Sequence, residues 1–123
     1  MTSARSNQLL NVFLEGVDVR GLQERYTFVD GEEVVGFLRG SPFLAPLLVD
    51  AEEVAHRHFP EAGLRLELAI DPEVAGATHL VLSITQDGSV DRALNRLRRF
   101  DDDWWLDQIH RAQGKLVITL AFG

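Results

Sequence analysis

Residues 64–85 read "LRLELAIDPEVAGATHLVLSIT". In the first seven, Leu64, Leu66, Leu68 and Ile70 alternate with Arg65, Glu67 and Ala69; in the last seven, Leu80, Leu82 and Ile84 alternate with His79, Val81, Ser83 and Thr85. A strand turns successive side chains to opposite faces, so this period of two marks two half-buried strands. "DPEVAGAT" between them carries proline and glycine and joins them as a hairpin. A third run of the same kind, "KLVITLAF" at 115–122, places Leu116, Ile118, Leu120 and Phe122 on one side. Each strand offers one branched-aliphatic face and one more polar or smaller face, the pattern of a sheet covered on one side by helices.

The helices flank these strands. Ser41-Pro42 offers a cap and a first-turn proline, and Leu44, Leu47, Leu48, Ala51, Val54, Ala55 and Phe59 follow at helical spacing until Pro60. Pro46 lies near enough to the start to kink the first turn or to delay the regular helix by a few residues. Residues 26–38 read two ways. Asp30-Gly31 suits a hairpin turn between "YTFV" and "EEVVGF", while Asp30 and Glu33 also fit a capping box; Val34, Val35 and Leu38 on one face favour the helix. "SNQLLNVFL" at 6–14 suggests a short helix, and "EGVDVRG" at 15–21, with two glycines, a loop.

Residues 90–112 do not fit one straight helix. Val90, Leu94 and Leu97 define an apolar face on which Asp101 and Gln108 would also fall, whereas Trp105, Leu106, Ile109 and Ala112 define another about a quarter turn away. A break at Asp101 reconciles the two. Asp101 is then an N-cap, Asp102 and Asp103 sit where the helix dipole favours negative charge, and Phe100 packs on Trp105 as a staple. Ser89 caps the first half and Gly114 ends the second. Trp104 fits neither face: it either packs back over the elbow or meets a partner.

The resulting expectation is a two-layer α+β fold in the order α-α-α-β-β-α-α-β, with N-terminal helices and a three-stranded, mainly antiparallel sheet covered on one face by helices. Without repeats or a Gly/Ser linker, residues 1–123 read as a single domain, with 1–40 a helical extension and 41–123 the α+β core. The 123 residues, 46% of them hydrophobic, suffice for a core of their own.

There is no cysteine, which excludes disulfides, thiol catalysis and cysteine-ligated metal and fits a cytoplasmic setting. "LLNVFL" near the N-terminus is too short for a membrane span. Nineteen acids against 12 bases give a net charge of −7, a field that repels phosphate backbones and attracts basic partners. Direct nucleic-acid binding is therefore disfavoured. Arg96, Arg98 and Arg99 form the only cationic cluster, beside Asp101–Asp103, and read as a solvated face with local ion pairs.

Three groups of residues could carry chemistry. Glu52, Glu53 and His56 have helical spacings compatible with one metal ion, and Glu53-Val54-Ala55-His56 matches the Glu-x-x-His element of di-iron bundles. Such sites need a second copy and further glutamates, neither of which is visible, and histidines in a last helical turn are also favoured by the dipole. Asp101, Asp102, Asp103 and Asp107 could hold a divalent ion, but capping explains them as well. Ser83 with His79, or Ser89 with His110, lacks a nucleophile-elbow pattern, and no phosphate-binding glycine loop occurs. No catalytic residue and no cofactor is assigned, and a binding role is preferred over an enzymatic one. Its candidate contact residues are Trp104, Asp102, Asp103 and Asp107.

"LNRLRRFDDDWWLDQIHRAQGKLVITLAF", with "HRHFPEAGLRLELAIDPE" and "HLVLSIT" before it, resembles a group of short, uncharacterised bacterial proteins. They share an Arg-Phe-Asp-acidic-acidic-Trp-Trp-Leu-Asp run before a Gly-Lys-Leu strand, and the resemblance spans about residues 41–123. Such proteins are associated with two-gene cassettes of toxin–antitoxin type. The resemblance implies a small acidic cytoplasmic interaction protein, the neutralising partner of a basic toxin-like enzyme. A metal-dependent hydrolase or nuclease using Glu52, Glu53, His56 and the aspartates near 101 is the alternative. A homo-oligomer pairing through an exposed strand is the third reading.

Overall fold

The computed structural model describes residues 18–74 and 76–122. The chain forms α1 (Asp18–Arg25), β1 (Thr27–Phe28), α2 (Gly31–Gly40), α3 (Leu44–His58), β2 (Gly63–Ile70), β3 (Thr78–Gln86), α4 (Val90–Phe100) and β4 (Leu116–Phe122). Between α4 and β4 the helical path continues through a π-helical turn (Asp101–Trp105), a short α-helical piece (Leu106–Gln108) and a 3₁₀ turn (Ile109–Ala112). The helix expected at 6–14 lies outside the described residues, as do residues 15–17 of the expected loop.

The architecture is α+β, but the sheet has four strands in the order β1-β2-β3-β4 and is mixed, not three-stranded and mainly antiparallel. Only β2 and β3 pair antiparallel, with Gly63 opposite Thr85 and Ile70 opposite Thr78, which is the hairpin read from the sequence. β1 runs parallel to β2, and β3 parallel to β4 from Leu80↔Leu116 to Gln86↔Phe122. The helices between the paired strands explain this. A helical crossover carries the chain back to the end of the sheet opposite the one at which it left, so its flanking strands run the same way. α2 and α3 make that connection from β1 to β2, and the bent helix makes it from β3 to β4.

One face of the sheet carries the core. Leu64 and Leu66 of β2, Leu80, Leu82 and Ile84 of β3, and Leu116 of β4 are buried, with Leu44, Leu47, Leu48, Ala51 and Ala55 of α3 in the same cluster. These α3 positions follow the helical period. Complete burial of each leucine is worth roughly 1.5–3 kcal/mol, so this face is what holds α3 to the sheet. Residues 18–40, expected as an extension, contribute Leu22, Tyr26, Val34 and Leu38 to that core. Tyr26 is anchored further: its hydroxyl donates to the Leu48 carbonyl at 2.5 Å.

Several local expectations change. Residues 18–21 are helical, because Leu22 is fully buried and Tyr26 lies one turn on; the two glycines at 16 and 21 concealed a helix with little other apolar content. The 26–38 segment takes the helix reading, burying Val34 and Leu38, and the hairpin does not form: Thr27–Phe28 is a two-residue strand that pairs with β2 instead. The capping box does not form. Asp30 is left-handed (φ 52°) and makes no side-chain cap bond; its carbonyl accepts the Glu33 N–H instead. Ser41 does not cap α3 either. It is buried where α2 ends, donating its N–H to Leu38 and accepting the Leu44 N–H on its carbonyl. The delay expected from the prolines is observed: α3 begins at Leu44, and Pro46 falls in its first turn, where no intrahelical N–H donor is required. No single described helix is long and apolar enough to cross a membrane.

Candidate partner-binding site

α4 starts where the sequence places it, with Ser89 Oγ accepting the Arg92 N–H at 3.3 Å. It does not break at Asp101. Phe100, Asp101 and Trp105 are all right-handed helical, Asp101 caps nothing, and the Leu106 N–H donates to the Asp101 carbonyl five residues back. A π turn accommodates one additional residue and so advances everything after it by about 100°. That rotation resolves the conflict between the two apolar faces without interrupting the helix. Phe100 before the turn and Trp105 at its end are both in the core.

The aromatic rings form a continuous stack. Trp104, half-buried, is tilted against Phe100 at a centroid separation of 5.7 Å and lies on Trp105 at 5.9 Å with 28° between planes. The ring against Phe100 is thus Trp104, not Trp105 as the staple required. Phe100 also meets His58 in an edge-to-face arrangement, with ring centroids 6.0 Å apart. His58 Nε2 in turn lies 3.5 Å from Asp103 Oδ2. At the far end Arg111 donates to Asp50 Oδ2 and to Gln108 Oε1, both at 3.0 Å. Polar contacts thus tie both ends of the segment to α3.

Over this stack lies a mixed surface. Asp102, Asp103, Asp107 and His110 are exposed, and among them Leu106 is 57% and Ile109 49% exposed. The sequence reading placed Leu106 and Ile109 on the buried face; the π turn and the following 3₁₀ turn carry them to solvent. Asp101 is partly buried, and desolvation, with the Asp102 carboxylate adding to it, holds its carboxyl above the usual range. Gln113 and Gly114, both left-handed (φ 50° and 76°), end the segment and turn the chain into β4.

The other candidates come together only in part. Glu52 accepts Arg25 Nη1 at 3.0 Å and lies 3.5 Å from His56 Nδ1, Glu53 is exposed, and Asp103 reaches His58 rather than His56. Among the described residues no three His, Asp or Glu side chains are grouped to hold a metal ion. His79 and Ser83 are four residues apart on β3, about 13 Å along an extended strand and beyond hydrogen-bond reach. Ser89 is occupied as a cap. Arg96 donates to the buried Gln86 at 3.3 Å, and among the described residues Arg96, Arg98 and Arg99 make none of the ion pairs expected of them. A polar cleft of about 410 Å³ is lined by Arg96 with Pro60, Glu61, Thr85, Gln86 and Asp87, and both ends of the Gln86 amide already have partners.

Of these features, the His58–Asp103 contact and the exposure of Leu106 and Ile109 were not read from the sequence. The first joins residues 45 positions apart, and the second depends on the π turn. Comparison with protein families, with curated proteins and with solved structures finds no match.

Proposed function

We propose that this protein is a small interaction domain that presents residues 102–110 to a protein partner carrying basic and apolar groups. The observation that carries this reading is the exposure of Leu106 and Ile109 among Asp102, Asp103 and Asp107, on a backbone fixed by the aromatic stack beneath. Two large aliphatic side chains give a partner something to desolvate, and three carboxylates select and steer a basic one. Trp104, half-buried in the stack, supports the surface and offers its remaining edge to the partner. The net charge of −7 acts in the same direction at longer range.

The resemblance to bacterial two-gene cassette proteins makes the product of the adjacent reading frame the first partner to test, with this chain as the cytoplasmic, neutralising component. In a titration of that product, Leu106→Asp should weaken binding by about 2 kcal/mol or more, as for an interface hot spot. Replacing Asp102, Asp103 and Asp107 together by asparagine should slow association and flatten its salt dependence. Binding that ignores all four substitutions would place the interface elsewhere.

A further inference from the structure

Sheet edges are ordinarily protected, by short strands, prolines, bulges or charged side chains, because their free N–H and C=O groups recruit other strands. The two edges here differ. β1 is only two residues long and is blunted by that shortness. β4 is seven residues long, "LVITLAF", with no proline and no charged residue, and among the described residues it pairs on one side only, with no strand beyond it. Val117 and Phe122 on it are 45% and 47% exposed, and Thr119 between them is exposed as well.

The register identifies which groups are free. The Leu80 N–H donates to the Lys115 carbonyl, and Leu80 is paired with Leu116. In a parallel ladder this directs the backbone groups of Val117, Thr119 and Ala121 to β3, and those of Leu116, Ile118, Leu120 and Phe122 to the open edge. An antiparallel partner strand needs outward-facing residues opposite outward-facing residues. A second β4 meets that condition about a two-fold axis at Thr119. Leu116 then faces Phe122 of the copy, Ile118 faces Leu120, Val117 faces Ala121 and Thr119 faces Thr119, so all seven residues pair with apolar opposite apolar at every position but the centre.

We propose that β4 is a dimerisation edge and that its occupant is β4 of a second copy, giving one eight-stranded sheet across the two-fold axis. Charge on the strand does not oppose a copy at this edge. Two chains of net charge −7 repel one another, and β4 brings no carboxylate against another. Because the β1 edge is too short to continue the sheet, association closes at two chains and does not grow into a fibre. β4 shares no residue with 102–110, so different substitutions test the dimer and the proposed partner complex.

Thr119 is exposed and central, which makes it the test position. Sedimentation equilibrium of the full chain should give a dimer. Thr119→Lys and Thr119→Glu each put like charges directly opposite and should weaken the dimer about fivefold or more. An equimolar mixture of the two variants should recover it, because lysine then faces glutamate. A monomeric wild-type chain at high micromolar concentration would overturn the proposal. So would a dimer that neither substitution weakens, or weakened variants that fail to recover on mixing.

Discussion

The Leu106 N–H donates to the carbonyl of Asp101 across five residues, and this π turn shifts the phase of the helical path that follows it. With one residue more than an α-helical turn accommodates, Phe100 and Trp105 both reach the core while Leu106 and Ile109 reach solvent. A π turn of this kind is relieved by removing one residue. Deleting the exposed Asp102 should therefore convert the turn to α-helix with Trp105 still buried, at a cost of about 1 kcal/mol or less. Deleting Arg92 from the regular part of α4 rotates Phe100 out of the core and should cost several times more. Urea melts of the two deletion variants make the comparison, and equal losses would mean that the turn does not set the phase.

The two tryptophans should separate in the same assay. Trp105 is in the core, so Trp105→Ala should destabilise the fold by about 3–5 kcal/mol, whereas half-buried Trp104 should cost clearly less on replacement by alanine. Equal and large losses would place both rings in the core and remove Trp104 from the proposed contact surface.

Asp101 should reveal itself through pH. Its carboxyl is held above the ordinary range by desolvation and by Asp102, so the folded chain binds its proton more tightly than the unfolded chain does. Ionisation of Asp101 therefore opposes folding. The penalty is complete above the raised folded value, shrinks as pH falls through it, and vanishes below the ordinary carboxylate value. Asp101→Asn should accordingly be stabilising at pH 7 and lose that advantage toward pH 3. An Asp101→Asn variant less stable than wild type at pH 7 would contradict the desolvation penalty assigned to this carboxylate.

Tyr26 joins the start of β1 to the middle of α3 through the Leu48 carbonyl, and burial together with Glu52 pushes its phenol well above the usual tyrosine range. Tyr26→Phe keeps the packing and removes the hydrogen bond, with an expected cost of about 0.5–1.5 kcal/mol by thermal or urea melts. No change in stability would show that the bond contributes nothing net.

The strands were legible where alternation ran long enough to be read. β2, β3 and β4 each carry a run of Leu, Ile or Phe at alternate positions, and the Asp71–Ala77 connection has the composition of a hairpin loop. β1 was not, since two residues hold a single alternation and its pairing with Arg65 and Leu66 is a property of the tertiary fold. The parallel pairings follow from helical crossovers that were themselves visible. At the candidate site, the clash of apolar phases at Asp101 was plain, but a clash can be met by a break or by an additional residue in the turn, and the composition "DDDWW" suits both. Choosing the break sent Leu106 and Ile109 inward and left the exposed apolar surface unseen.

That surface is the central claim, and calorimetric titration of the adjacent reading frame's product into wild-type and Leu106→Asp protein tests it most directly. The account predicts a complex with the wild type that weakens by about 2 kcal/mol or more in the variant while the variant's melting temperature stays close to wild type. Unchanged affinity in Leu106→Asp, or no heat of binding with the wild type at concentrations where both proteins are folded, would contradict it.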